Sequence, residues 1–166
     1  VLNLRSHIVY ISKKPFFLQG TIMDNLKLGQ NEISDLEVIE VCKKVGIHSD
    51  IQKLEKGYYE LIESGGENFS SGQKQKLGFV RVLLKKADIV LLDEVTSDLD
   101  GEAERQICNQ IEEIAKKAIV LNIAHKPESI RRSKKVFFIQ GGKIVAEGTH
   151  KALMKNCVDY KKIFAN

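Results

Sequence analysis

Two apolar runs, Ile89-Val90-Leu91-Leu92 and Ala118-Ile119-Val120-Leu121, the second carried on to Ile123 past Asn122, lie on either side of a stretch that repeats Ile107, Ile111 and Ile114 at helical spacing. An unbroken apolar run has no solvent face, which marks a strand covered on both sides, as in the middle of a parallel sheet. Two such strands joined by an amphipathic helix are the β-α-β unit, and the return crossing places them parallel. The pattern predicts an α/β fold in which Ile89–Leu92 is a central strand, Glu102 to Lys116 a crossover helix and Ala118–Ile123 a second buried strand. Asp93 and Glu94 follow the first run directly. They therefore fall at the carboxyl end of a parallel strand, where open α/β sheets bind ligands.

The rest of the chain fills in around that unit. Ile8-Val9-Tyr10-Ile11 reads as a further short buried strand, stopped by Pro15, with Phe16-Phe17-Leu18 as an apolar loop. Thr21 with Asp24 three residues on caps a short helix, and Ser34-Asp35-Leu36-Glu37 is a capping box opening a helix through Val45 that Gly46 stops. Ile51 to Leu54 adds a short helical turn, so residues 21 to 60 read as a mainly helical subdomain. Ser70 or Ser71 caps a helix to about Lys86 with Leu77, Val80, Leu83 and Leu84 on one face. Gly141-Gly142 joins Lys134–Gln140 to Lys143–Glu147 as a hairpin. Thr149 to Asn156 and Val158 to Phe164 close the chain as helices.

Composition excludes more than it selects. The chain has 166 residues, 43% hydrophobic and 29% charged, which is ordinary for a globular domain. The net charge of +4 is spread over paired lysines and arginines near helix ends, a solvated surface and no nucleic-acid stripe. Cys42, Cys108 and Cys157 show no metal-ligand spacing or disulfide framework. No apolar run approaches the length of a membrane-spanning helix.

The chemistry suggested by the residues alone is phosphoryl transfer. Mg²⁺ dehydrates reluctantly, so Asp93 is suited to hold it through water, and Glu94 to polarise an attacking water as general base. The same pair could simply cap the next helix. Ser70 to Gln73 open a helix whose free N–H groups and dipole favour an anion, or are a plain N-cap. His125 ends the later strand and could bond a γ-phosphate oxygen. A phosphate-cradling loop requires G-x-x-x-x-G-K-[ST]. The only Gly-Lys pair, Gly142-Lys143, fails that pattern twice, with Phe137 at its first position and Ile144 after the lysine.

Taken together, these stretches resemble the nucleotide-binding domain of ABC transporters over nearly all of the chain. Phe69-Ser70-Ser71-Gly72-Gln73 resembles the LSGGQ signature, Leu91-Leu92-Asp93-Glu94 the Walker B strand, and Ser97-Asp98-Leu99-Asp100 the D-loop. His125 matches the switch histidine, and Ile11-Ser12-Lys13-Lys14-Pro15 lies where the Q-loop belongs. Gly20-Thr21-Ile22-Met23-Asp24-Asn25-Leu26 and Glu63-Ser64-Gly65-Gly66-Glu67-Asn68 resemble exporter segments that face the membrane domain.

The resemblance implies an ABC-type P-loop NTPase core with a mainly parallel sheet and an α-helical subdomain, truncated at its N-terminus. Residues 1–20 would be the Q-loop strand and loop, 21–86 the helical subdomain with the signature helix, and 87–166 the catalytic core. It implies ATP and Mg²⁺ as ligands. Asp93 would serve the metal, Glu94 and His125 catalysis, and Ser70, Ser71, Gly72, Gln73, Lys13 and Asp100 the nucleotide. The implied partners are a second ABC ATPase domain, head to tail, and a membrane-spanning domain of the same transporter, at the cytoplasmic face of the membrane.

Three departures bear on activity. The Walker A loop and the adenine-stacking aromatic are not in the chain, and since it begins at Val1 with Leu4-Arg5-Ser6 resembling the stretch before the Q-loop strand, truncation is expected. Lys13 stands at the position of the family's Gln, and a charged lysine has no acceptor for Mg²⁺, although it could pair with phosphate. Ser71 replaces the first signature Gly. Two other readings stay in view: a non-hydrolytic dimerisation or regulatory module that lends its signature helix in trans, and the C-terminal lobe of an SMC-type ATPase. Residues 8 to 60 disfavour the latter, since coiled-coil heptads should precede such a lobe.

Overall fold

The computed structural model describes residue 4 and residues 6–164. Arg5, and the ends of the first and last segments expected above, lie outside the described residues. The chain forms two compact units, one up to Ala124 and one from His125 onward.

In the first unit, β1 (Ile8–Ile11), β4 (Ile89–Asp93) and β5 (Ile119–Ile123) form a three-stranded parallel sheet with β4 in the middle. Ile11 is level with Leu92 in one pair, and Asp93 with Ile123 in the other. The helix α5 (Gly101–Ile114) makes the crossover from β4 to β5. Its Ala103, Ile107 and Cys108 are buried, with Ile111 and Ile114 packed against the core.

The central position of β4 is as its apolar run predicts, but its two neighbours are not covered on both faces. Along β5 every second residue is open, with Ile119, Leu121 and Ile123 each more than half exposed. Tyr10 on β1 points to the same face, level with Leu91 and Leu121. The opposite face, with Ile11, Val90 and Leu92, is closed by the helices. Ala118–Ile123 is thus not a fully buried strand, because helices of this unit cover the sheet on one side. A two-residue antiparallel ladder, β2 (Gly20–Thr21) with β3 (Leu61–Ile62), ties the two ends of the helical segment together. Two-residue strands carry no periodicity, so the sequence does not signal them.

The helical segment holds α1 (Ile22–Lys27), α2 (Asp35–Val45) and α3 (His48–Gln52), the last a few residues before the turn expected at Ile51. Thr21 closes a complete capping box with Asp24. Ser34 accepts from the Glu37 N–H at 3.2 Å, while the Glu37 carboxylate reaches Lys86 Nζ at 2.7 Å. Gly46 ends α2 in the left-handed region.

The helix α4 (Ser71–Lys85) runs through the middle of this unit and touches α1, α2 and β1. It is therefore buried well beyond the single face its leucines suggest: Gly78, Phe79, Arg81 and Val82 are inside as well.

The second unit contains α6 (Pro127–Arg131), the hairpin β6 (Val136–Gln140) and β7 (Lys143–Gly148), α7 (His150–Asn156) and α8 (Val158–Phe164). Gly141 and Gly142 both have positive φ, as a two-residue primed turn requires. Tyr160 is nearly fully buried, edge-on to Phe138 with ring centroids 5.4 Å apart, and its hydroxyl lies 2.9 Å from His150 Nδ1.

Candidate functional site

The apolar run of β4 stops at Asp93, and the next residue turns sharply. Glu94 is a non-glycine residue in the left-handed region, with φ +52. Its N–H donates to the Ile123 carbonyl at 2.9 Å, and its carbonyl accepts from the Ser97 N–H at 3.1 Å. Backbone strain of this kind costs on the order of 1–3 kcal/mol and persists only where the surroundings fix it. Here the end of β4 and the turn that follows fix the backbone from which the two carboxylates project.

Each carboxylate has a partner from β1 and its loop. Tyr10 donates its hydroxyl to Asp93 Oδ2 at 3.2 Å. Lys13 Nζ donates to Glu94 Oε2 at 2.8 Å. The hydrogen bond and charge of Glu94 hold the Lys13 ammonium above its ordinary range. Desolvation, then the bond to Asp93, does the same for the Tyr10 phenol. Lys13 therefore bonds the carboxylate beside the proposed metal residue, a contact that sequence reading does not foresee.

Ser70 is the N-cap of α4, with its hydroxyl accepting from the Gln73 N–H and the Gln73 side chain accepting from the Ser70 N–H. Gln73 is thus committed locally, while Ser70 and Ser71 stay exposed at the helix start. Asp100 likewise caps a helix: its Oδ1 accepts from Ala103 N–H at 2.8 Å and Glu102 N–H at 3.1 Å, and the Ala103 bond holds its acidity below the ordinary range. Gly72 is set close to the turn after β4, since a Cβ there would sit 3.2 Å from the Asp98 carbonyl oxygen. His125 opens the second unit, two residues beyond the end of β5.

Two positions that organise this region give no signal in the sequence. Gln75 is buried on α4; its Nε2 donates to Ser97 Oγ at 2.9 Å and lies 3.5 Å from the Lys13 carbonyl, while its Oε1 accepts from Asp98 N–H at 3.1 Å. One amide thus ties the signature-like helix to both loops. Gly78 packs against the ring of Pro15, where a Cβ would lie 2.6 Å from Cγ and 2.9 Å from Cβ of the proline. Gly78→Ala gains about 1 kcal/mol in helix propensity. A rigid ring displaced from a packed core costs roughly 1–3 kcal/mol. The clash should win, lowering the urea midpoint with an unchanged m value.

Among the described residues no three His, Cys, Asp or Glu side chains cluster as a metal cage. The donor set at Asp93 fits instead a cation that arrives with its own waters and phosphate oxygens, which is how Mg²⁺ is commonly held. An open hollow of about 490 Å³ lies elsewhere, lined by residues including Leu18, Gln19, Asp24, Lys27, Leu28 and Asn31, and shares no lining residue with the carboxylate pair.

The architecture is that of an ABC exporter ATPase domain. It superposes on the structure of a bacterial Atm1-family ABC exporter with ATP bound at a TM-score of 0.93 and 27% identity, covering 99% of this chain and 29% of that one. A family model described as ABC transporter matches residues 2–97, and the chain belongs to that family. It is 35% identical over 160 residues to the ABC multidrug transporter MDR2 of Trichophyton rubrum, covering 95% of this chain and 12% of that protein. It is also 35% identical over 163 residues to the serine protease/ABC transporter B family protein tagD of Dictyostelium discoideum, covering 98% and 9%. The chain thus spans about a tenth of the length of these relatives. Domains of this family generally bind ATP and Mg²⁺. Among the described residues no helix is long and apolar enough to cross a membrane.

Proposed function

We propose that this chain is the signature and Walker B part of an ATP-hydrolysing domain that powers export through a membrane-spanning domain of the same protein, at the cytoplasmic face of the membrane. The observation that carries the reading is the Asp93-Glu94 pair at the carboxyl end of a central parallel strand, with the Ser70-capped helix packed against the turn that follows. In this reading Asp93 holds Mg²⁺, whose charge neutralises phosphate oxygens. Glu94 takes the proton of the attacking water, and His125 bonds the γ-phosphate.

Ser70, Ser71 and Gly72 meet the ATP of a second ABC ATPase domain arranged head to tail, with Gln73 holding the helix start in shape. Lys13 and Asp100 belong to loops flanking the nucleotide, Asp100 by fixing the turn through its helix cap. The hollow beside Asp24 and Leu18 supports a seat for the membrane domain on the exporter-like stretch.

These 166 residues contain no G-x-x-x-x-G-K-[ST] loop, so by themselves they hold ATP poorly and are inactive. The test is phosphate release by the 166-residue chain and by the full-length protein that carries it. Turnover in the full-length protein, with none from the chain above a Glu94→Gln control, is expected. Release by the chain well above that control overturns the requirement for the loop. A second reading is a non-hydrolytic fragment that lends its signature helix in trans. It is favoured by the Lys13 ammonium already seated on Glu94, and a full-length protein without turnover would point to it.

A further inference from the structure

The Lys13–Glu94 pair joins residues 81 positions apart in the sequence. Both ends are independently held. The Lys13 carbonyl faces the buried Gln75 amide, Ser12 Oγ bonds the Lys14 carbonyl at 2.9 Å, and the Pro15 ring is seated on Gly78. On the other side, Glu94 is fixed in its left-handed turn by the bond to Ile123. Glu94 is also the better covered partner, with 24% of its side chain exposed against 46% for Lys13. Exposed lysines sample many rotamers, and a surface pair of this kind contributes little to stability. The fixed loop and the covered carboxylate make this pair matter for chemistry.

A general base acts through an oxygen lone pair within hydrogen-bond reach of the proton it takes. An ammonium group on Oε2 engages that oxygen. Lysine offers three donors and no acceptor, so it can neither ligate a metal nor orient water by accepting from it. Triphosphate competes for such a point charge, because it presents several anionic oxygens at once.

We propose that Lys13 is an autoinhibitory positioning residue: its ammonium holds Glu94 Oε2 and withholds the carboxylate from water, and an incoming phosphate chain competes for Lys13 but draws it away in only a fraction of the ATP-bound molecules. The release step rests on the reading of Glu94 as general base, whereas the ion pair does not.

Two measurements test it. Carbodiimide activation of the folded 166-residue chain joins an amine to a carboxylate only when they are in contact, losing one water per bond. Peptide mass spectrometry should find a Lys13–Glu94 cross-link that disappears in Glu94→Gln and in urea. Absence of that cross-link from the folded chain overturns the pair. In the full-length protein, Lys13→Gln should raise kcat for ATP by roughly two- to fivefold, a larger change than in KM, and Lys13→Arg, which keeps a cation against Glu94, should give no such rise. An unchanged or lower kcat in Lys13→Gln overturns the autoinhibition even if the cross-link is present. Parent turnover that persists in that case leaves the ATPase reading standing; no turnover in parent or Lys13→Gln overturns both.

Discussion

Glu94→Gln in a full-length protein that joins these residues to a phosphate-binding loop is expected to lower steady-state phosphate release by roughly 10²- to 10⁴-fold. The amide is nearly isosteric with the carboxylate but cannot take a proton from water. The β4 turn is expected to keep its shape, because backbone bonds to Ile123 and Ser97 hold Glu94 there. Binding of nucleotide should survive, which separates a chemical loss from a folding loss. Retention of more than about a tenth of parent turnover would remove Glu94 from the role of base. The substitution also removes the anionic partner of Lys13, so the cross-link described above should vanish in the same variant.

The largest effect on stability is expected at Arg81. This residue is only 5% exposed, in the middle of α4. Its Nε donates to the Asn25 carbonyl at 2.8 Å, one guanidinium nitrogen to the Phe16 carbonyl at 2.6 Å and the other to Asn25 Oδ1 at 3.0 Å. The guanidinium also lies 4.7 Å from the Phe17 ring centroid. The Asn25 carbonyl belongs to the last turn of α1, where carbonyls have no partner within the helix. Burial pushes the Arg81 guanidinium down to about 10, still well above neutral pH, so it remains a cation there.

Arg81→Leu keeps much of the apolar stem but strands the Asn25 carbonyl, while Asn25 Oδ1 keeps the Leu18 N–H. The stranded acceptor costs about 1–3 kcal/mol and each further bond lost about 1 kcal/mol, so a loss of about 3 kcal/mol in urea unfolding is expected. Arg81→Lys, a point charge that cannot serve three acceptors, should lose about half of that. A loss below about 1 kcal/mol in Arg81→Leu would show that water replaces the guanidinium.

The Arg81 cluster shows why part of the site is not legible in a sequence. An arginine in a helix is ordinarily read as surface, and nothing near position 81 announces two acceptors 56 residues upstream. Asn25 is visible as part of an exporter-like stretch, yet its work inside the unit is to accept from Leu18 N–H and Arg81 and to donate to the Leu18 and Thr21 carbonyls. The same holds for Gln75 and Gly78, which look like any polar and any small residue of an amphipathic helix.

What the sequence determines by itself is whatever depends on near neighbours. The caps at Thr21, Ser34 and Ser70 and the stop at Gly46 each rest on bonds within a few residues and are found where the residue types predict, although at Ser34 only the serine half of the expected box forms. The central place of β4 follows from an apolar run that no solvent face interrupts. Asp93 and Glu94 fall at its carboxyl end by simple succession along the chain.

Only the tertiary structure decides which side of the sheet is covered, leaving Leu121 and Ile123 open although their run reads as buried. It alone brings Tyr10 to Asp93 and Lys13 to Glu94. Those contacts depend on the register between two strands far apart in sequence and on a loop fixed by Pro15 against Gly78. Local preference does not encode either distance, because both are set by how whole elements pack.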